Sequence, residues 1–400
     1  MKVAIIGAGA SGLVCALNMA LKNYQVTVID HNSDSGKKLL MTGSGRCNLG
    51  NVDQDLKHYH SSTPGLIEQV ITVQNLEMVD NLWRDLGLVL KNKNGYLYPF
   101  SEKATSVKSV LIQKLRELNA QFCFDKDIKK IDIKEQKFSI DGEIYDKLVL
   151  ATGGLSYPKT GTSSWGYDLA KQLGHHVVKP RPSLVALEIK DPISDWAGIR
   201  LEGIVSLEVN QKILKQEKGE IQLTKDGISG ICVFNISRDV SKNIEENKNV
   251  TVSLNFVPWL TEDMFSYLNN LASKFPKRSI SELCEGFIDY KLINALLKKT
   301  KIDKNKKWLE LPLKEQRSIA NLLTNFKVNI AKPKDMEVAQ VTSGGISLTD
   351  VNLKTMESKI IPNLYFCGEI LDLDGDCGGY NLTIAWITAL LVGGYDDKNS

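Results

Sequence analysis

The chain has 400 residues, enough for two or three domains. Its 42% hydrophobic and 24% charged residues are those of a globular protein with a sizeable core, which excludes fibrous, low-complexity and disordered classes. The net charge of +3 argues neither for nor against nucleic acid, and no apolar run is long enough to span a membrane.

Residues 2–30 read KVAIIGAGASGLVCALNMALKNYQVTVID. An apolar strand (Val3 to Ile6) runs into Gly7-Ala8-Gly9-Ala10-Ser11-Gly12; a helical pattern follows, then a second strand (Val26 to Ile29) ending in Asp30. Gly7 permits the tight turn, Gly9 lets backbone approach a pyrophosphate, and Gly12 lets helix and strand pack closely. The start of the helix, at Ala10 and Ser11, offers N–H groups and a positive dipole end to phosphate. Asp30 is spaced to accept hydrogen bonds from a ribose diol, which favours FAD or NAD over NADP at this site.

After Asp30 comes a glycine-rich loop, HNSDSGKKLLMTGSGRCNLGN, containing Lys38, Gly43, Gly45, Arg46, Cys47 and Asn48. It offers a flexible backbone and cations to a cofactor. Arg46 either pairs with phosphate or developing flavin charge, or braces the loop. Beside it, Cys47 either has a lowered pKa or is a small packing residue. Helical periodicity covers about 64–90 and 104–119, and residues 121–150 read as short strands with a hairpin turn at Asp141-Gly142. The strand LVLATGG runs through Thr152 to Gly153-Gly154, where the backbone approaches the cofactor or simply turns. An aromatic and glycine-rich loop follows (Tyr157-Pro158, Thr160-Gly161, Trp165-Gly166-Tyr167) that suits a cover over a planar ring. His175 and His176 begin the next strand, in structural roles.

From about 183 the texture changes. SLVALEIK, GIRLEGIVSLEVN, GEIQLTKDG, ICVFNISR and NVTVSLNFVP alternate like antiparallel strands, and from 261 to about 326 the pattern turns helical. After Lys332-Pro333 strand texture returns. PNLYFCGE is a strand ending at Gly368-Glu369; the loop LDLDGDCGGYN follows, then a last helix over about 381–392. The fold class expected is α/β: a Rossmann-type domain from residues 1–182 and 332–400, interrupted by a β-barrel-like domain (183–260) and a helical subdomain (261–331), with a late strand such as Leu364–Cys367 in the same sheet as the first. The seven cysteines form no C-x-x-C pair, so neither a zinc site nor a redox dithiol is expected; no metal is assigned. Scattered thiols and a strand at the very start of the sequence lead us to expect a cytoplasmic protein.

Three segments carry a resemblance: GKKLLMTGSGRCN (36–48), ATGGLSYPKTGTSSWGYDLAKQLGH (151–175) and KTMESKIIPNLYFCGEILDLDGDCGGYNLTIAW (354–386), with weaker support from GISG (227–230) and VTSGG (341–345). Together they resemble the YhiN/BaiN-like family of FAD-dependent oxidoreductases over nearly the whole chain. The resemblance implies FAD as cofactor, and a C-terminal segment that contacts the ribityl chain and flavin ring through Gly368, Glu369, Asp374, Gly378, Gly379, Tyr380 and Asn381. Glu369 is then the choice for the ribityl hydroxyls, while Asp372 and Asp374 are either contacts or loop caps. The N-terminus of the last helix would stabilise charge on the reduced ring. Cys377 is either a proton donor to substrate carbon or a buried packing thiol. Arg46 and Cys377 are thus the catalytic candidates.

With one dinucleotide fingerprint, NADH or NADPH is expected as a transient reductant. The family implies reduction of a conjugated C=C, either of uridine in 23S ribosomal RNA or of a bile-acid-type enone, that is, a small conjugated carbonyl compound. Aminoacetone-type amine oxidation and a non-catalytic flavin-binding module are the alternatives. KKTKIDKNKK (298–307), followed by Trp308, tips the reading toward ribosomal RNA through Lys298, Lys299, Lys304 and Lys307; the same run is also an ordinary solvated surface. No stable protein partner is evident.

Overall fold

The computed structural model describes residues 1–394. The chain divides into two compact units. One is Met1–Arg181 with the segment from Met336 onward; the other is Pro182–Asp335.

The first unit is built on β1 (Lys2–Ile6), α1 (Ala10–Leu21) and β2 (Gln25–Ile29). The strands β1 and β2 are buried along all but their first residue, as expected of parallel strands covered on both faces. β1 pairs in parallel with β2 on one side and with β4 (Lys147–Leu150) on the other. β3 (Gln121–Cys123) extends the sheet beyond β2. The late strand β11 (Leu364–Phe366) lies in the same sheet, parallel to β4, so the C-terminal segment completes what the N-terminal strands begin. Two short strands, Glu357–Ser358 and Val351–Asn352, finish a seven-stranded sheet.

Two glycines make the β1–α1 turn possible. Gly7 has φ +108°, and a Cβ there would lie 2.3 Å from Ala151 O; a Cβ on Gly12 would lie 1.8 Å from Gly7 O. The last helix, α4 (Tyr380–Leu391), packs on α1. Asp141 and Gly142, both at positive φ, form the expected two-residue hairpin turn between Lys137–Ile140 and Glu143–Tyr145.

The helical expectation over 64–90 is corrected. Pro64–Gln69 is a tight 3₁₀ segment, and the α-helix is α2 (Val73–Asp85), started by Thr72, whose hydroxyl accepts from Asn75 N at 3.1 Å. His175 is buried, with ring nitrogens 3.1 Å from Ala170 O and 2.7 Å from Ser358 Oγ; burial lowers its pKa, so it packs as a neutral ring.

The second unit is a closed barrel in the order β5 (Leu187–Ile189), β8 (Gly227–Ser229), β7 (Lys212–Leu223), β6 (Arg200–Val209), β9 (Val250–Asn255), β10 (Phe326–Pro333). The segment ICVFNISR, expected as a strand, opens instead the helix α3 (Ile231–Glu245). Its buried positions, Cys232, Val233, Ile236, Ser237 and Val240, recur at three and four, so the period is helical and the apparent alternation was a short-window accident. Helices Met264–Lys274, Tyr290–Thr300 and Leu313–Thr324 follow before β10 returns to the barrel. Among the described residues no helix is long and apolar enough to cross a membrane.

Candidate cofactor cavity

Within the first unit a cavity of about 540 Å³ opens beside the carboxyl ends of β1, β2 and β4, where open parallel sheets bind ligands. Gly7, Gly9, Ala10, Ser11, Asp30, Lys38, Thr152, Gly153, Glu369 and Asn381 all line it, so the structure brings these sequence candidates together. Gly9 is the N-cap of α1, with no side-chain cap and no acid in the first turn; α4 begins in the same way at Gly379. Helix N-termini of this kind leave N–H groups and dipole for an anion. A Cβ on Gly9 would meet no atom of the described residues within 4 Å and would project into the cavity. Ser11 turns its hydroxyl to Cys367 O at 3.4 Å, so its backbone is what it offers to a ligand.

Asp30 is held before any ligand arrives. Its Oδ2 accepts from Ala8 N at 2.7 Å and its Oδ1 from Asn32 N at 2.8 Å. Each oxygen keeps lone-pair capacity for a diol. Glu369 is more heavily engaged. Lys38 Nζ stands 2.9 and 2.7 Å from its two oxygens, Ser156 Oγ donates to Oε1 at 3.0 Å, and Thr342 N donates to Oε1 at 2.8 Å. Oε1 is therefore saturated, and Oε2, 4.0 Å from where a Gly153 Cβ would stand, is the oxygen left with capacity for a hydroxyl.

Other candidates lie behind the cavity wall. Gly43, Gly45 and Arg46 are exposed, and Arg46 sits 5.5 Å from the Tyr98 ring centre with Nε donating to Gly43 O at 3.3 Å, so it braces its loop. The loop reaches the cavity through Thr42, just before them. Of the two readings of Cys47, the buried packing residue is the one the structure favours: burial pushes that thiol up to about 12. Asn48 Oδ1, close by, is buried with no hydrogen-bond partner among the described residues. Gly154 is hemmed in by Thr342, Gly368 by Ser11, and Gly379 by the backbone of Gly50, so these glycines serve close packing. Asp372 caps a loop, accepting from Ser62 N at 2.9 Å, and Asp374 pairs as a strand residue with His60. Gly378 receives Asn51 Nδ2 on its carbonyl at 3.1 Å, and Tyr380 is buried against His58 and Tyr59. Cys377 is outside the lining, its thiol pushed up to about 11 by burial and by Asp376. Both Cys47 and Cys377 should therefore resist iodoacetamide at neutral pH in the folded protein and react only on unfolding; rapid labelling of either in the native state would contradict this placement.

The loop expected to cover a planar ring reaches the wall at Thr160–Ser163 and Trp165, while Lys126–Ile128 after β3, Gln340, and Leu382, Ile384 and Ala385 on α4 line it without having been singled out in the sequence. Only the rule that sites gather at the carboxyl ends of parallel strands would have pointed to the loop after β3.

The residues present fit an FAD. A glycine cradle left open at Gly9, an uncapped helix N-terminus and a pre-oriented carboxylate at Asp30 match a pyrophosphate and a ribose diol. Residues 1–395 match the family described as HI0933-like protein Rossmann domain. A curated relative, 3-dehydro-bile acid delta(4,6)-reductase of Clostridium scindens, is 33% identical over 98% of each chain. The ribosomal RNA dihydrouridine synthase of Escherichia coli is 28% identical over 96% of this chain and 95% of its own. The solved structure of 3-ketosteroid-delta4-(5alpha)-dehydrogenase from Rhodococcus jostii shares the fold at 11% identity, with TM-score 0.50 and coverage of 98% of this chain and 96% of that one. Matched along nearly all its length, the chain belongs to the HI0933-like family, the FAD-dependent oxidoreductases whose motifs its sequence resembles.

Proposed function

We propose that the cavity holds FAD and that the protein reduces a C=C bond conjugated to a carbonyl in a small molecule, with NADH or NADPH as reductant. The observation that carries the cofactor assignment is the convergence of Gly9, Asp30, Thr152, Gly153, Glu369 and Asn381 on one cavity. The reaction class is supported by the relative at 33% identity, whose name is that of a 3-dehydro-bile acid delta(4,6)-reductase.

Each residue has a role in that reading. The N-terminus of α1 with Gly9 takes the pyrophosphate, and Asp30 takes the adenosine ribose. Thr152 and Gly153 bring backbone close at the end of β4, and Glu369, fixed by Lys38, presents Oε2 to a hydroxyl. FAD held by these residues would supply hydride chemistry between a nicotinamide and the electron-poor carbon of the substrate, the other carbon taking a proton from solvent. The structural role of the Cys377 thiol leaves it out of this scheme, and Cys377→Ala should bind FAD and turn over as the wild type does.

Ribosomal RNA as substrate is the second reading. The relative at 28% identity favours it by name, and Lys298, Lys299, Lys304 and Lys307 are exposed on the second unit, while Trp308 beside them is buried, its indole N–H on Asn269, and offers no ring for base stacking. Against it, the lysines picked out for RNA have neighbours already: Lys298 with Asp195 at 2.6 Å, Lys299 with Asp191 O at 3.1 Å and Lys307 with Glu310 at 2.9 Å. Exposed pairs of this kind are weak and exchange readily for phosphate, so the decision belongs to experiment. Purified protein should be yellow, lose its flavin colour with NADH or NADPH under anaerobic conditions, and regain it on adding a steroid-type enone. Material that stays colourless with excess FAD sinks the cofactor assignment. Recovery of colour with no enone tested, together with dihydrouridine missing from ribosomal RNA of a deletion strain, moves the substrate to RNA. In that case replacing Lys298, Lys299, Lys304 and Lys307 by Glu should abolish a salt-sensitive RNA affinity.

A further inference from the structure

Behind the cavity wall lies a cluster of titratable side chains that the reading above does not use. Residues 51–62 lie along the loop from Asp372 to Asn381, and the ties between them are mostly polar. Buried Asp372 holds Ser61 and Ser62. Asp376, 5% exposed, has His58 Nδ1 at 3.1 Å from Oδ2 and His60 Nε2 at 2.8 Å from Oδ1. The backbones also join, with Asp376 N donating to His58 O at 2.9 Å. The loop so held is itself part of the cavity wall. Leu373 and Asn381 line the cavity, and the Asn381 amide fixes Gly375 from both sides, accepting from its N–H at 2.9 Å and donating to its carbonyl at 2.7 Å.

His58 stands between two carboxylates. Its Nδ1 faces Asp376 and its Nε2 faces Asp53 Oδ2 at 3.1 Å. An ionised carboxylate only accepts hydrogen bonds, so both contacts are hydrogen bonds at once only when both ring nitrogens carry hydrogen. That is the imidazolium form. Its ring is stacked on Tyr380, the first residue of α4, at 4.5 Å between centres. Asp53 is held below the usual carboxylate range, first by the Asp55 N–H and then by His58, so it stays anionic near neutrality. The other charged or titratable groups around the ring are Lys57, paired to Asp55 at 3.1 Å and 3.9 Å from Asp53, His60, and the thiol and phenols of Cys377, Tyr59 and Tyr380. Burial raises the last three, which keeps them neutral.

We propose that His58, protonated between Asp53 and Asp376, is a positioning residue that holds the Leu373–Asn381 wall in its binding shape, so that the hold on FAD depends on the proton His58 carries. The inference rests on the cofactor assignment made above. Its sign is fixed: deprotonation removes one of the two contacts, so the latch is closed at lower pH and opens as pH rises.

FAD affinity read by flavin fluorescence against pH tests it directly, without turnover. Wild-type affinity should be roughly tenfold weaker at alkaline than at acid pH, the effect of losing one charge-assisted hydrogen bond. His58→Gln should be weaker at the acid end and insensitive to pH, and His58→Arg, cationic throughout, should restore pH-independent binding. Asp53→Asn, at an exposed position that folding tolerates, should move the wild-type fall to lower pH, and it decides the matter if the His58 variants melt early. Wild-type affinity that is flat with pH, or a His58→Gln protein that keeps the wild-type slope, overturns the inference while leaving the cofactor assignment standing. A protein that takes up no FAD at any pH overturns both.

Discussion

Gly9→Val is expected to leave the fold intact and abolish FAD binding, whereas Gly12→Val is expected to unfold the first unit. The two glycines sit three residues apart in one motif and fail for opposite reasons. A Cβ on Gly12 would stand 1.8 Å from Gly7 O, and neither partner is a side chain that can swing away; both belong to the turn that joins β1 to α1. Overpacking of flexible cores costs about 1–3 kcal/mol, and a collision with fixed backbone exceeds that. It is a large share of the roughly 5–15 kcal/mol that holds a domain together. Gly9, in contrast, has φ −78° and ψ −166°, an extended conformation open to any residue, and no described atom within 4 Å of a Cβ. The valine methyls would occupy the space a pyrophosphate needs at the helix N-terminus. Melting temperatures of the cofactor-free proteins separate the cases: Gly9→Val should melt near the wild type and Gly12→Val many degrees lower, by about 2–4 °C for each kcal/mol. Gly9→Val protein that still retains FAD would show that the pyrophosphate lies elsewhere.

The contrast also marks what the sequence makes legible. The opening βαβ unit is local: strand, turn, helix and acid follow each other within thirty residues, and each residue type has one physical reason to be there. The late strand Leu364–Phe366 was readable because the first strand cannot complete a parallel sheet alone. The segment 231–238 was not, since its apolar positions, 231–234 and 236, define no period within eight residues, and only tertiary packing selects the helix. In the site, glycines carry a second reason. Gly154, Gly368, Gly378 and Gly379 read as cofactor approaches, and their missing side chains also make room for Thr342, Ser11, Tyr380 and the backbone of Gly50. The pairing of Lys38 with Glu369 bridges residues 331 apart in sequence, a separation at which spacing carries no information.

That pairing yields the second large effect. Lys38→Ala should weaken FAD binding by roughly tenfold or more, and adding Glu369→Gln to it should restore most of the loss. The ammonium and carboxylate line one cavity and neutralise each other at 2.7 Å. Removing Lys38 alone leaves a carboxylate, held by Ser156 and Thr342 N, facing a ligand that itself carries a pyrophosphate. The uncompensated charge opposes the ligand, and the double variant removes it while Gln keeps an acceptor for the Thr342 N–H. Stability should follow a milder course. The side chains are 25% and 21% exposed, so the loss from either single change lies between that of a surface pair and that of a fully buried one, about 1–3 kcal/mol. A double-mutant cycle on both FAD affinity and melting temperature separates these effects. If the double variant binds FAD no better than Lys38→Ala, then Lys38 contacts the cofactor directly, and its neutralisation of Glu369 is not what the cavity needs.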